Sequence, residues 1–206
     1  MQTKAVTALY DYWTEKRGER AVPLRNAIDP AEIAPILPDI FILESARLGA
    51  PRFRLAGTRI CAQFARELKG TALDALFTPD QRARVSRIAQ DVMAGEVSAV
   101  LQIVLVDGRL DTTEAEILLL PLATKGRTAD RIIGAFSPLP GQPRPLAAFR
   151  HATLGAVSAA GSERPPLPAA SPPTSVMAIR PSAFGQAMHR VLHLRVFEGG
   201  RRPDDA

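Results

Sequence analysis

Residues 97–136, VSAVLQIVLVDGRLDTTEAEILLLPLATKGRTADRIIGAF, carry the pattern that decides the architecture. Val97 to Val106 and Thr112 to Leu120 are apolar runs of strand length on either side of Asp107-Gly108, a pair of residues that readily takes a tight reversal and so signals a β-hairpin. Arg131 to Phe136 follows a polar loop around Gly126 and reads as a third strand. Within the second run Glu114 and Glu116 alternate with Ala115 and Ile117, which predicts that one face of this strand meets water.

Working upstream, Thr78-Pro79-Asp80-Gln81 predicts a helix start. Threonine is placed to cap, proline suits the first helical position, and glutamine stands three residues after the cap. Val85, Ile88, Ala89, Val92 and Met93 then share one face until Gly95. A helical stretch from Gly57-Thr58 to about Ala65 and a short turn over Thr71 to Leu76 come before it. Ile40 to Leu43 and Arg52 to Leu55 form a second candidate hairpin around Gly49, Ala50 and Pro51. Asp29 as cap and Pro30 as first residue predict a short helix ending by Pro38. Nearest the N-terminus, Val6, Leu9, Tyr10 and Trp13 recur at helical spacing, and Gly18 closes that helix. Two strands and three strands separated by helices predict an α+β fold. Its expected form is a five-stranded antiparallel sheet with helices on one face and an N-terminal helical extension.

The remainder of the 206 residues differs in composition. Half of the 18 prolines lie between Pro138 and Pro173, among Ala, Ser and Gly with few charges. Such a stretch buries too little apolar surface to offset its ordering entropy, so 138–174 is expected to be a disordered linker and 175–206 a short basic C-terminal element. The body, 1–137, forms the domain. Net charge is +5, but residues 1–136 hold 18 Lys and Arg against 17 Asp and Glu, so the excess lies in the tail. A near-neutral body with interspersed acids argues against a DNA-binding face. No window approaches the roughly 20 apolar residues of a membrane span, and no leader pattern opens the chain, so a cytoplasmic location is expected. Cys61 is the single cysteine, which excludes an intramolecular disulfide and a cysteine-based zinc site.

Several pieces of the body carry a family likeness: Tyr12-Trp13, Pro23-Leu24-Arg25, Asp29-Pro30, Leu37-Pro38 and Arg54-Leu55-Ala56-Gly57-Thr58. In combination over 1–137 they resemble the short stand-alone PAS-domain proteins of alphaproteobacteria, a family first catalogued as a domain of unknown function. After the second strand that family usually reads Gly-Arg-Asp-Leu-Thr-Gly, whereas this chain reads Ala65-Arg66-Glu67-Leu68-Lys69-Gly70. Alanine in place of the first glycine reduces backbone freedom there. The resemblance implies a PAS-like fold and a sensing or docking role.

Candidate sites follow from that fold, each beside a plainer reading. Phe53, Leu55, Ile60, Phe64, Leu101, Ile103 and Phe136 would line a pocket for a small apolar metabolite, although alternating apolar residues on strands ordinarily just pack. No cofactor is named by the residues. Haem held by histidine and flavin trapped by cysteine both run against them, because His151, His189 and His193 all lie behind the body and Cys61 sits in a context unlike that of light-sensing flavin domains. As a small core residue Cys61 needs no further role. Arg25 would pair with an internal acid or hold an anionic ligand. Leu9, Tyr10 and Trp13 would dock on the domain's own sheet or on a second copy, giving a homodimer through the N-terminal helix. His189 and His193 have metal-compatible spacing but no third ligand nearby; the segment from about Ser182 reads as a short helix and then a strand to Glu198, able to add to a sheet edge.

No Walker loop, nucleophile elbow or HExxH is present, so catalytic residues and a metal site are not expected. The sequence thus predicts a cytoplasmic regulatory module without an output domain of its own, working through another regulatory protein, itself or a small molecule. Two other classes remain open: a small α+β enzyme of the cone-shaped isomerase or dehydratase type, which would need a carboxylate buried in the pocket, and a ligand-free scaffold.

Overall fold

The computed structural model describes residues 1–46, 49–125, 128–142 and 147–161. Helix α1 spans Lys4–Arg17, and Thr3 caps it by accepting a hydrogen bond from Val6 N–H. Gly18, at φ 55°, ends it, a conformation that costs glycine little. The expected helix after Asp29 is tighter and later than its signals suggest. Asp29 Oδ1 accepts from Ala31 N–H and closes only a turn, and a 3-10 segment follows at Ala34–Asp39.

Strands β1 (Ile40–Glu44) and β2 (Arg52–Ala56) form the first hairpin. Helix α2 (Thr58–Gln63) starts at Gly57, where a side chain would collide with the carbonyls of Leu37 and Pro38. A 3-10 turn at Leu73–Leu76 precedes helix α3 (Arg82–Ala94). The helix begins after the expected capping residues: Thr78–Gln81 is a turn, closed by Gln81 N–H on the Thr78 carbonyl. Gln81 is drawn instead into the sheet, where its Oε1 accepts from Leu154 N–H.

Strands β3 (Ala99–Asp107), β4 (Thr112–Leu122) and β5 (Arg131–Pro138) lie where the alternation predicted them. A sixth strand, β6 (Phe149–Ala159), runs through the segment expected to be linker. The sheet is antiparallel between every pair of neighbours, in the order β2-β1-β5-β4-β3-β6. Average composition over 138–174 hides β6 because the prolines flank Phe149–Ala159 without entering it. Physically, β6 satisfies the backbone groups that β3 would otherwise present as a bare edge. The tail readings, including His189, His193 and the strand to Glu198, lie outside the described residues.

Apolar side chains fill both faces of the sheet, not one. On the inner face α2, the 3-10 turn and α3 cover a core that includes Phe41, Phe64, Leu101, Ile117 and Phe136. On the outer face α1 lies across β4 and β5 and buries Val6, Leu9, Tyr12 and Trp13 against Leu118, Leu120 and Ile133. Of the two expected docking places for this stripe, the domain's own sheet or a second copy, the sheet is the one that covers it, because a helix capped on the sheet beside an apolar strand face gains about 1.5–3 kcal/mol per buried large side chain without needing a second molecule. Gly134 makes room on the inner face: it stands opposite Phe41, and a side chain there would strike the Phe41 ring and the Leu118 carbonyl.

Candidate functional site

The inner face, between the short helices and the sheet, is where the seven candidate lining residues were expected to meet. Six of them do. Phe53, Ile60, Phe64, Leu101, Ile103 and Phe136 are buried in one cluster. Leu55 is not among them and is 48% exposed. The cause is a β-bulge: Ile42 pairs with Leu55 and Leu43 with Phe53, so Arg54 is an extra residue and the strand's alternation reverses across it. Leu55 thereby shares the outer face with Ile42.

Aromatic rings occupy much of this interior. Phe64 meets Phe136 at 5.7 Å between ring centres and Phe149 at 6.2 Å, both edge to face, and Phe41 meets Phe53 at 5.5 Å. Phe149 belongs to β6, inside the segment whose average composition predicts a linker. Ala152 and Leu154, alternating with His151 and Thr153, were the available signal, and a register shift at Arg150 sets Phe149 out of that period.

The α2 end of the interior holds Ala65, where this chain departs from the family pattern, and Gly70, where it keeps it. Ala65 adopts φ 48°, a left-handed conformation that suits glycine, and Gly70 adopts φ 81°. Cys61 Sγ lies 3.9 Å from the Ala56 carbonyl and 3.6 Å from Glu67 Oε1. Burial pushes its thiol pKa up; the backbone at Leu68 opposes the shift and the Glu67 carboxylate adds to it. A raised thiol pKa leaves little thiolate near neutral pH, the opposite of an activated nucleophile.

Among the described residues three carboxylates are buried. Asp39 pairs with Arg59 at the start of α2. Asp107 Oδ1 accepts from Arg109 N–H at 2.7 Å and Asp111 N–H at 3.0 Å, which organises the β3–β4 reversal. Glu116 is only 1% exposed, against the expectation that it faces water. It does stand on the outer face with Glu114, but residues 2–3 cover it: Oε1 accepts from Gln2 N–H at 2.9 Å and Thr3 N–H at 2.7 Å. A negative group at a helix N-terminus also complements its dipole. The signal was present in the outer-face series Glu114, Glu116, Leu118, Leu120, which turns apolar where a covering element begins.

Arg25 is half-buried and takes a different part from the expected ion pair. Its backbone N–H donates to the Ala123 carbonyl at 2.7 Å, and among the described residues no carboxylate pairs with its guanidinium. Trp13 Nε1–H donates to the Pro121 carbonyl at 2.9 Å, and the Tyr12 hydroxyl accepts from Asp29 N–H at 2.8 Å. Tyr10, half-buried, reaches the Ala160 carbonyl beyond β6.

Compared with known families, residues 1–137 match the PAS domain, about two thirds of the 206 residues. The chain belongs to the PAS domain family. Among solved structures it is similar to the light-state blue-light photoreceptor Aureochrome1 LOV, with 12% identity, a TM-score of 0.42, and coverage of 53% of this chain and 88% of that one. It is also similar to a Rhodobacter sphaeroides LOV protein, with 15% identity, a TM-score of 0.38, and coverage of 55% and 70% respectively. No curated protein matches it.

PAS domains are sensory and regulatory modules, and some carry haem or flavin. The residues of this PAS interior do not fit a histidine-held haem or a cysteine-trapped flavin. His151, the histidine among the described residues, stands opposite Val106 on β6, on the other side of the sheet from Leu105 and the aromatic cluster. Cys61 is engaged by Ala56 and Glu67 as described. Among the described residues no helix is long and apolar enough to cross a membrane.

Proposed function

We propose that this PAS domain is a regulatory module of the cytoplasm that acts by docking a partner signalling protein. A small apolar metabolite is the second input it would take. One observation carries the order of these readings: the rings of Phe64, Phe136 and Phe149 stand edge to face where a PAS ligand would sit, so the interior is already provided with apolar contacts. A packed interior supports signalling through surfaces. The mechanism is a shift of population, in which a partner that binds one arrangement of helices on the sheet more tightly than another stabilises it.

The enzyme reading called for a carboxylate within the interior. Asp39 and Glu116 are engaged by Arg59 and α1, and Asp107, which stands opposite Phe149 in the sheet register, holds the hairpin turn through one oxygen, so each of the three has a structural partner, which supports a role without catalysis. Native mass spectrometry of the chain purified from its own host tests the proposal. A bare chain is expected. A reproducible added mass, retained by the wild type and lost in Phe136→Trp, would replace docking by small-molecule sensing.

A further inference from the structure

The tip of the β3–β4 hairpin combines two features that each work against stability. Leu110 holds φ 70°, a left-handed conformation that glycine takes readily, that asparagine tolerates and that disfavours most other residues. It is also 73% exposed, the most exposed large apolar side chain described. The reversal around it is rigid: Leu110 N–H donates to the Asp107 carbonyl, and the buried Asp107 side chain holds the N–H groups of Arg109 and Asp111. A hairpin loop of this kind ordinarily places glycine at the left-handed position, yet here the glycine is Gly108 and the leucine is kept where it is strained and solvated.

Two arginines and one exposed carboxylate, Asp111, belong to this tip. Arg109 precedes Leu110 in the loop, and Arg150 on β6 lies beside Gly108, its Nε 3.6 Å from where a side chain at Gly108 would begin. Both arginines are exposed, and among the described residues neither is in an ion pair. With Arg109 and Arg150 against the single exposed carboxylate of Asp111, the apolar knob sits on a stiff turn of net positive charge, which is complementary to an apolar socket with carboxylates at its rim.

We propose that the Leu110 hairpin tip is a docking surface for a protein partner with an apolar, acid-rimmed socket, Leu110 entering the socket while Arg109 and Arg150 pair with its rim. The inference rests on the docking reading above and deepens it by naming the surface. Strain at Leu110 is retained because the side chain is used when the partner is bound, not in the free domain.

The test uses the full chain with p-benzoylphenylalanine substituted for Leu110, irradiated in an extract of its host, and a second chain with the same group substituted for Glu114 on the outer sheet face. The protein cross-linked from position 110 is then purified and its affinity measured for the wild type, Leu110→Asn, and the double variant Arg109→Gln/Arg150→Gln. Leu110→Asn is expected to raise the melting temperature by about 2–4 °C, because asparagine tolerates the conformation, while weakening the partner at least tenfold. The double variant is expected to weaken binding and to flatten its dependence on salt. A lower melting temperature for Leu110→Asn overturns the proposal, as does a captured protein whose affinity ignores Leu110→Asn, or a cross-link to a second copy of this chain. A partner captured from position 114 alone overturns the hairpin surface but leaves docking standing; capture from neither position overturns both.

Discussion

Replacing Glu116 by alanine removes the acceptor for two backbone donors that open α1, Gln2 N–H and Thr3 N–H. A hydrogen bond to a charged group is worth about 1.5–3 kcal/mol, and a buried donor left without a partner costs about 1–3 kcal/mol. Thr3 is buried and Gln2 reaches water, so one donor bears the full penalty and the other a reduced one. The expected destabilisation is therefore about 2–4 kcal/mol, a fall of roughly 5–15 °C in melting temperature for a domain of this size. Glu116→Gln keeps one carbonyl oxygen for both donors but loses the charge, which roughly halves such bonds, and is expected to cost about 1–2 kcal/mol. Glu114→Ala, on the same face but exposed, is the control and stays within about 0.5 kcal/mol. Trp13 is the single tryptophan and is buried by α1, so its fluorescence reports the docking of that helix directly. Thermal unfolding is followed by this emission and by circular dichroism. In Glu116→Ala the fluorescence transition is expected to move to lower temperature and to precede the loss of sheet signal. Coincident curves for Glu116→Ala and Glu114→Ala would refute the reasoning, since the buried carboxylate would then contribute nothing to holding α1.

Three further outcomes follow from particular positions. Gly134→Ala forces a methyl group against the Phe41 ring and is expected to destabilise by about 1–3 kcal/mol in chemical unfolding; an unchanged midpoint would contradict the packing of Phe41 over Gly134. Ala65→Gly relieves the left-handed strain at φ 48° and is expected to stabilise by about 0.5–1 kcal/mol after the added entropy of the unfolded chain, with destabilisation as the contrary result. Burial holds the Cys61 thiol above its ordinary pKa, so iodoacetamide alkylation of the folded chain should reach half-rate at higher pH than alkylation of the urea-unfolded chain. The corresponding contribution to stability is complete below the unfolded thiol pKa and is lost as pH rises through the folded one, because the unfolded chain releases its proton first. A folded midpoint at or below the unfolded value would reverse that assignment.

Much of the architecture was legible along the chain because it rests on local chemistry. Alternation of apolar residues placed β1 to β5, Asp107-Gly108 placed the reversal between β3 and β4, and the helical stripe around Leu9 and Trp13 placed α1. Six of the seven interior residues were legible for the same reason: a side chain's face follows from strand period once the strand is known. Leu55 escaped because a bulge inserts one residue, and nothing within Arg52–Ala56 announces which strand pairing will accommodate it. The sixth strand escaped because β6 is stable only beside β3, and a window average over prolines outside it says nothing about that pairing.

The amino-acid order by itself therefore determined periodicity, reversals, the glycines that close α1 and α3, and the family to which the chain belongs. Tertiary structure alone decided which faces are covered. Whether Glu116 meets water or two backbone N–H groups depends on a helix that begins more than a hundred residues earlier. Whether the stripe of α1 needs a partner depends on Leu118, Leu120 and Ile133 being available beneath it. Local sequence sets what each side chain prefers, while burial is a property of everything that packs against it, and only the folded chain brings those neighbours together.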